Sequence, residues 1–476
     1  MKSTISRGRL LAGAALGFGL AFAPQQAQAA CTVSPAATPV TGTVTCADTT
    51  TTDTTYAGVS PSVHREYEVD TSGGDVTGTV SAGATVDGFG LAFTNTVGGA
   101  NDLIIVNDGT IQADGDPLAG GNDALTVTLI GATNFDYSGT GDITHLGTTG
   151  TAFQVNMDGT GDAVIDIGGN LTSAVGAGND VGNGLYVNGA EGNVTVTTAV
   201  GTTIQADWVG ILIDGDVAGT GDISVTNNAA VGSLTGAPGT LFLGVGIENS
   251  GTGDSTIVNN GDIGSDTDRT ENIGVYIQQF NAAGGAVNIS GTGDIFSASE
   301  GIFAQNDGSG TTTINYTGAI DTTGADAVLV QSSAGGVVDV TVADVTATGG
   351  TAVNIDQTDA AGAGDVTLTT TGDLAASTTA VDIDNAGTGA VTVNVDGSIA
   401  ADAGDAVNVS STNVAAGAID ITTLAGETLA VSGGDGIEVD TAGSGDTTVT
   451  NAADITSGAG GVGTLVDGIN VESTGT

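Results

Sequence analysis

From Gly73 onward the chain repeats a short alternation of apolar and polar residues, each run opened by a small residue. The runs read GLAF (90–93), ALTV (124–127), AFQV (152–155), GLYV (184–187), GILI (210–213), GIEN (246–249) and GVYI (274–277). They continue as GIFA (301–304), AVLV (327–330), AVNI (352–355), AVDI (380–383), AVNV (406–409), GIEV (436–439) and GINV (468–471). These fourteen anchors lie 25–36 residues apart, a period that belongs to repeat architectures. A second run falls about halfway between anchors, as in GDISV (221–225), GDVTL (364–368) and GAIDI (417–421). A third follows closely, as in NDGTI (107–111), NNGDI (259–263) and VDGSI (395–399). Period-two alternation rich in Val, Ile and Thr, punctuated by Gly, Asn and Asp, predicts three short strands per unit and no helix.

Three strands per unit without a helical period predict an all-β parallel β-helix of about 14 coils. Val, Ile and Leu of each coil then stack on those above and below, while alternate Thr, Asn and Asp face water. Gly serves the corners, where the backbone takes positive φ. A propeller or sandwich would need hairpin turns and aromatic signatures, whereas this chain has one Trp, Trp208. Glycine-rich composition suggests disorder, but periodic Val and Ile and a mean hydropathy of +0.21 argue against it.

Upstream of the repeats, residues 1–29 read as a signal peptide. Lys2, Arg7 and Arg9 precede an apolar run, Leu10–Ala23, too short to span a bilayer, and Ala27-Gln28-Ala29 forms an A-x-A cleavage site. Residues 30–72 are expected to form an N-terminal cap segment, and 73–476 the solenoid. Cys31 and Cys46 lie just past the cleavage site, and export makes a disulfide between them the expected pairing. Lipid attachment at Cys31 is disfavoured by Gln28 in the lipobox position.

Charge narrows the function classes. The net charge is −49, and loss of the leader would leave Arg65 and Arg269 as the last basic side chains. Such a surface repels nucleic acid and anionic lipid and keeps the chain soluble by self-repulsion. Loosely held divalent cations are the sharper reading of the acids. The string GTGD, at 139–142, 159–162, 219–222, 251–254 and 291–294, brings weak calcium binding to mind. Its irregular spacing favours a Gly turn with Asp bonded to its local backbone.

The runs VNDGTIQA (106–113) and VNNGDIGS (258–265), the G-(I/V)-x-(V/I) anchors, and the order of leader, cap and repeats resemble bacterial autotransporter passengers. That resemblance covers most of residues 73–476. It implies secretion through a C-terminal outer-membrane barrel, display at the cell surface or release, and adhesion to a host or environmental ligand, carbohydrate among the options. No barrel lies within the sequence, and further repeats and then a barrel are expected beyond Thr476.

Catalytic constellations are sparse. The fold also hosts polysaccharide lyases and glycosidases, the alternative function, which need a base with a cationic partner or a carboxylate pair at fixed separation. Arg65 and Arg269 lack an obvious partner cluster, and no pair stands out among the acids. His64 and His145 are the only histidines, and His145 is expected in a turn or at the surface. No catalytic, cofactor or zinc site is assigned. Trp208 and the Tyr and Phe residues read as core filling or corner packing, with no cluster for sugar stacking.

Overall fold

The computed structural model describes residues 31–34, 42–47, 50–51, 67–88, 90–95, 97–99, 101–113, 123–146, 150–173, 182–233, 241–458 and 465–475. The leader, His64 and Arg65 lie outside them. Regular structure among the described residues is entirely β. A 15-stranded sheet, the first face, runs from Tyr67–Asp70 to Ile469–Ser473 and carries the anchors. A 16-stranded second face runs from Thr32–Ser34 to Thr447–Asn451. The third face is two seven-stranded sheets joined by single bridges through Ile263 to Val231 and Ile295.

The chain visits each face once per turn. Val353–Gln357 lies on the first, Val366–Thr370 on the second and Leu374–Ala376 on the third; Val381–Asn385 then pairs in parallel with the first strand. About 13 turns stack this way, a rod roughly 60 Å long at the usual strand spacing.

Inward side chains of equal position stack from turn to turn. Val353, Ile355, Val366, Leu368 and Leu374 are at most 1% exposed, each burial contributing about 2 kcal/mol. A turn from Val353 to Val381 orders 28 residues at about 1–2 kcal/mol each, so it holds only between neighbours.

The core is not wholly apolar. One buried column at the end of the first face runs Asn249, Gln279, Asn306, Ser332, Gln357, Asn385 and Ser411. Asn249, Asn306 and Asn385 each accept a backbone N–H two residues on and donate to a carbonyl four residues on. The expectation that Asn faces water fails here for a physical reason. The corner loop curls over the end of the core, and its backbone groups need polar partners from inside.

Two further readings change. Val245 pairs with Ile211 and Val275, so the anchor read as GIEN begins two residues earlier, at Gly244. The parity of alternation is kept, which is why the sequence did not expose the slip. The solenoid also starts before Gly73. Gly42–Cys46, Thr50–Thr51 and Tyr67–Asp70 pair in parallel with the next turn on the second, third and first faces. The antiparallel strand Thr32–Ser34 lies on the outer side of Gly42–Cys46 and covers that edge. Because Thr32 pairs with Thr45, Cys31 comes opposite Cys46; the two are bonded, with Cα atoms 4.3 Å apart.

Arg269 follows the turn that Ser265 and Asp268 close, and its side chain is held there. It donates to the Asp321 carbonyl at 2.8 Å and carboxylate at 3.0 Å, and lies over the Phe296 ring at 5.7 Å. The guanidinium thus ties two turns together, only 17% exposed. Trypsin must extract that side chain to cut. We expect the bond after Arg269 to survive in the folded protein over a time that fully cleaves urea-unfolded chain; equal cleavage rates contradict the contacts.

Candidate binding face

On the first face inward and outward residues alternate, so register sets which side chains meet outside. One outward column runs Tyr186, Leu212, Gly246, Tyr276, Phe303 and Leu329. Beyond Leu329 it becomes polar, through Asn354, Asp382, Asn408 and Glu438. The column beside it runs Asn188, Asp214, Glu248, Gln278, Gln305, Gln331, Asp356 and Asp384. Half-buried by their neighbours, Tyr276, Phe303 and Leu329 on three consecutive turns therefore lie against the amides of Gln278, Gln305 and Gln331, flanked at both ends by carboxylates. Buried Gly246 separates them from Leu212 and Tyr186.

The rings of Tyr276 and Phe303 stack, centroids 5.7 Å apart and planes within 11°. Gln278 donates to Gln305 at 2.7 Å, and Gln305 donates to the Asp307 carboxylate at 3.1 Å. The Tyr276 hydroxyl donates to the side-chain oxygen of Gln278 and faces Glu248 at 3.5 Å. Partial burial raises the Asp214 and Glu248 carboxyls above their ordinary range, and neighbouring acid adds to it: Asp216 for the first, Asp214 for the second. Burial also raises Asp356 and Asp382 at the other end, each further raised by Asp384. The Tyr276 hydroxyl is pushed up by burial and by Glu248.

The reading of the aromatics as core filling holds for Phe93, Phe135, Phe153, Tyr137 and Tyr316, all buried. It fails for Tyr186, Tyr276 and Phe303. A signal was present: the third anchor residue is large in GLYV, GILI, GVYI, GIFA and AVLV but small or polar in most other anchors. It becomes a site only when parallel register aligns those positions. Trp208 and Phe242 stack at 4.3 Å just ahead of the strands Val209–Gly215 and Leu243–Asn249. His145 is fully buried on the third face, between Ala113 and Ser173, rather than in a turn or at the surface. Inward parity in the strand Asp142–His145 decides this, where the flanking Gly residues pointed to a turn.

The GTGD strings form a different device from the expected local turn. Their aspartates accept backbone N–H groups one turn further along the rod. Asp142 takes Asn170, Asp162 takes Asn193, Asp222 takes Asp254, Asp254 takes Ala286 and Asp294 takes Ala319, at 2.7–3.0 Å. Asn134, Asn170 and Asn193 do the same. Corner N–H groups fall outside the strand ladders, and a short side-chain acceptor at the same corner of the preceding turn satisfies them.

Asp405, Asp435 and Glu438 bring carboxylate oxygens within 4.8 Å of one another, a donor set of the kind calcium takes. Two of the three already serve the corner ladder, with Asp405 accepting Asp435 N–H at 2.6 Å and Asp435 accepting Asp467 N–H at 2.8 Å. Burial and the hydrogen bond to Asp405 raise Glu438 to about 7.

Burial raises Asp123 to about 6 despite its bonds from Thr151 N–H and the Thr126 hydroxyl. A folded pKa above the unfolded 3.8 means that ionisation opposes folding. The penalty is complete above pH 6 and gone below the unfolded value. Asp123→Asn keeps an acceptor, as Asn134 and Asn170 do at other corners. It should stabilise by about 1–2 kcal/mol at pH 7.5, the partial exposure of Asp123 trimming the full linkage value, and by nothing near pH 3.5. Denaturant midpoints at the two pH values test this; equal shifts at both contradict it.

Comparison with known protein families, curated proteins and solved structures finds no match to this chain. Fold and face together define a parallel β-solenoid protein with a ladder-like outer surface.

Proposed function

We propose that this chain is the surface-displayed or secreted passenger of an autotransporter-like outer-membrane protein, adhesive and structural in role. The observation that carries the reading is the outward face itself. Its parallel register sets outward side chains in columns one strand spacing apart, so that individually weak contacts add along a rod. The acidic composition supports the same reading, since it keeps such a rod soluble. Cells that produce the protein should lose adhesion to their native substratum when its gene is deleted and regain it when the gene is restored. Unchanged adhesion of the deletion strain contradicts the proposal.

A carbohydrate-active enzyme is the second reading, favoured by one observation. Asp214 and Glu248 are paired in register on adjacent strands, their backbones about 4.8 Å apart, and both carboxyls are raised. Retaining glycosidases hold two carboxyls at about 5–5.5 Å. New reducing ends from a neutral polysaccharide, lost in Glu248→Gln, would establish that reading; their absence leaves the adhesive one.

A further inference from the structure

We infer that the outward column from Tyr276 to Leu329 is a binding strip for an extended, neutral polysaccharide lying along the rod. The inference rests on the adhesive reading and names the ligand class for that face. Three features of the strip favour this occupant over others.

The first is the pairing of aromatic rings with amides. The stacked, nearly parallel rings of Tyr276 and Phe303 run beside Gln278 and Gln305, so one row presents aromatic apolar surface and the next presents amide groups. A pyranose needs that combination: its C–H face packs on a ring, and its equatorial hydroxyls both donate and accept. The second is period. Strands advance about 4.8 Å per turn, close to the advance per sugar of an extended β-linked chain, so consecutive sugars meet consecutive turns.

The third is charge. The apolar stretch is bordered by Asp214 and Glu248 at one end and by Asp356, Asp382 and Asp384 at the other. The net charge of −49 adds to the same field. A polyuronate or sulfated glycan would meet repulsion along the whole strip, whereas a neutral chain meets none. A basic peptide would satisfy the flanking carboxylates but would leave the central amide row, Gln278 to Gln331, without a charge partner.

Affinity electrophoresis of the whole protein tests this, with galactomannan, xyloglucan and mixed-linkage β-glucan as neutral probes. Alginate and polylysine serve as charged ones. At least one neutral polymer should retard the protein and alginate should not. In the double variant Tyr276→Ala/Phe303→Ala the apparent affinity should fall by roughly tenfold or more, while Phe280→Ala, exposed outside the column, leaves it unchanged. Thermal unfolding checks that the variants fold, and Tyr276→Phe, which keeps the ring, should retain most of the binding.

No retardation by any neutral polymer overturns the inference. So does retardation that the double variant leaves intact, or tighter binding to polylysine than to the neutral polymers. The adhesion test separates the two levels. Adhesion lost on deletion, with no neutral polymer bound, keeps the surface role and removes the strip. Polymer bound through Tyr276 and Phe303, with adhesion unchanged, keeps the strip and removes the surface role.

Discussion

Gly291→Ala should destabilise the rod by about 3–5 kcal/mol. Gly291 ends its strand at φ +154°, and a Cβ there would land on the Asn259 carbonyl oxygen of the preceding turn. The obstacle is backbone on both sides and cannot rotate away. Gly261 and Gly293 meet the same obstacle from Ala229 and Gly261, so the corner is a stack of glycines on main chain. Gly201→Ala is the control: its φ of +84° is also positive, but nothing lies within 4 Å of the added carbon. It should cost only about 1 kcal/mol of backbone strain. Denaturant midpoints measure both. Equal effects would mean that strain, and not the approach of successive turns, sets the cost at Gly291.

Asn259→Ala should cost about 3 kcal/mol. The Asn259 amide donates to Gly261 O at 2.9 Å and to the Tyr316 hydroxyl at 2.8 Å, and accepts from Asn227 at 2.8 Å. Tyr316 in turn donates to Gly293 O at 2.5 Å. Removing the amide leaves the Asn227 N–H and the Gly261 carbonyl without a partner in a core that excludes water. Tyr316→Phe removes the hydroxyl's two bonds, from Asn259 and to Gly293 O, but leaves the Asn259 amide with Gly261 and Asn227, and should cost about 2 kcal/mol. Because contacts reach no further than two turns along the rod, amide exchange should quicken between about Asn227 and Tyr316 and stay slow in distant turns such as Val391–Val395. Uniform loss of protection would contradict that locality.

The sequence carried the fold because a solenoid writes its core in a local alphabet. Small residue, apolar, polar, apolar is legible at Gly274-Val275-Tyr276-Ile277 without knowledge of the rest of the chain. Spacing alone then told that the strands return about every 30 residues. Boundaries were weaker, since Tyr67–Asp70 lacks the opening Gly or Ala and so looked irregular, although it pairs in full with Leu91–Thr94.

The candidate binding face was not legible, for a reason of register. Tyr276 and Phe303 are 27 residues apart and look like isolated core aromatics until parallel pairing sets them side by side. The GTGD aspartates were misread for a related reason: their partners lie a whole turn away, beyond the reach of any local-turn rule.

Surface display is tested most directly by adding proteinase K to intact cells that produce the protein and following the chain with an antibody against the rod. The account predicts that the chain is digested, or already found in the medium, while a cytoplasmic marker in the same cells stays whole. A chain that survives until the cells are lysed, and is then digested along with the marker, would contradict it.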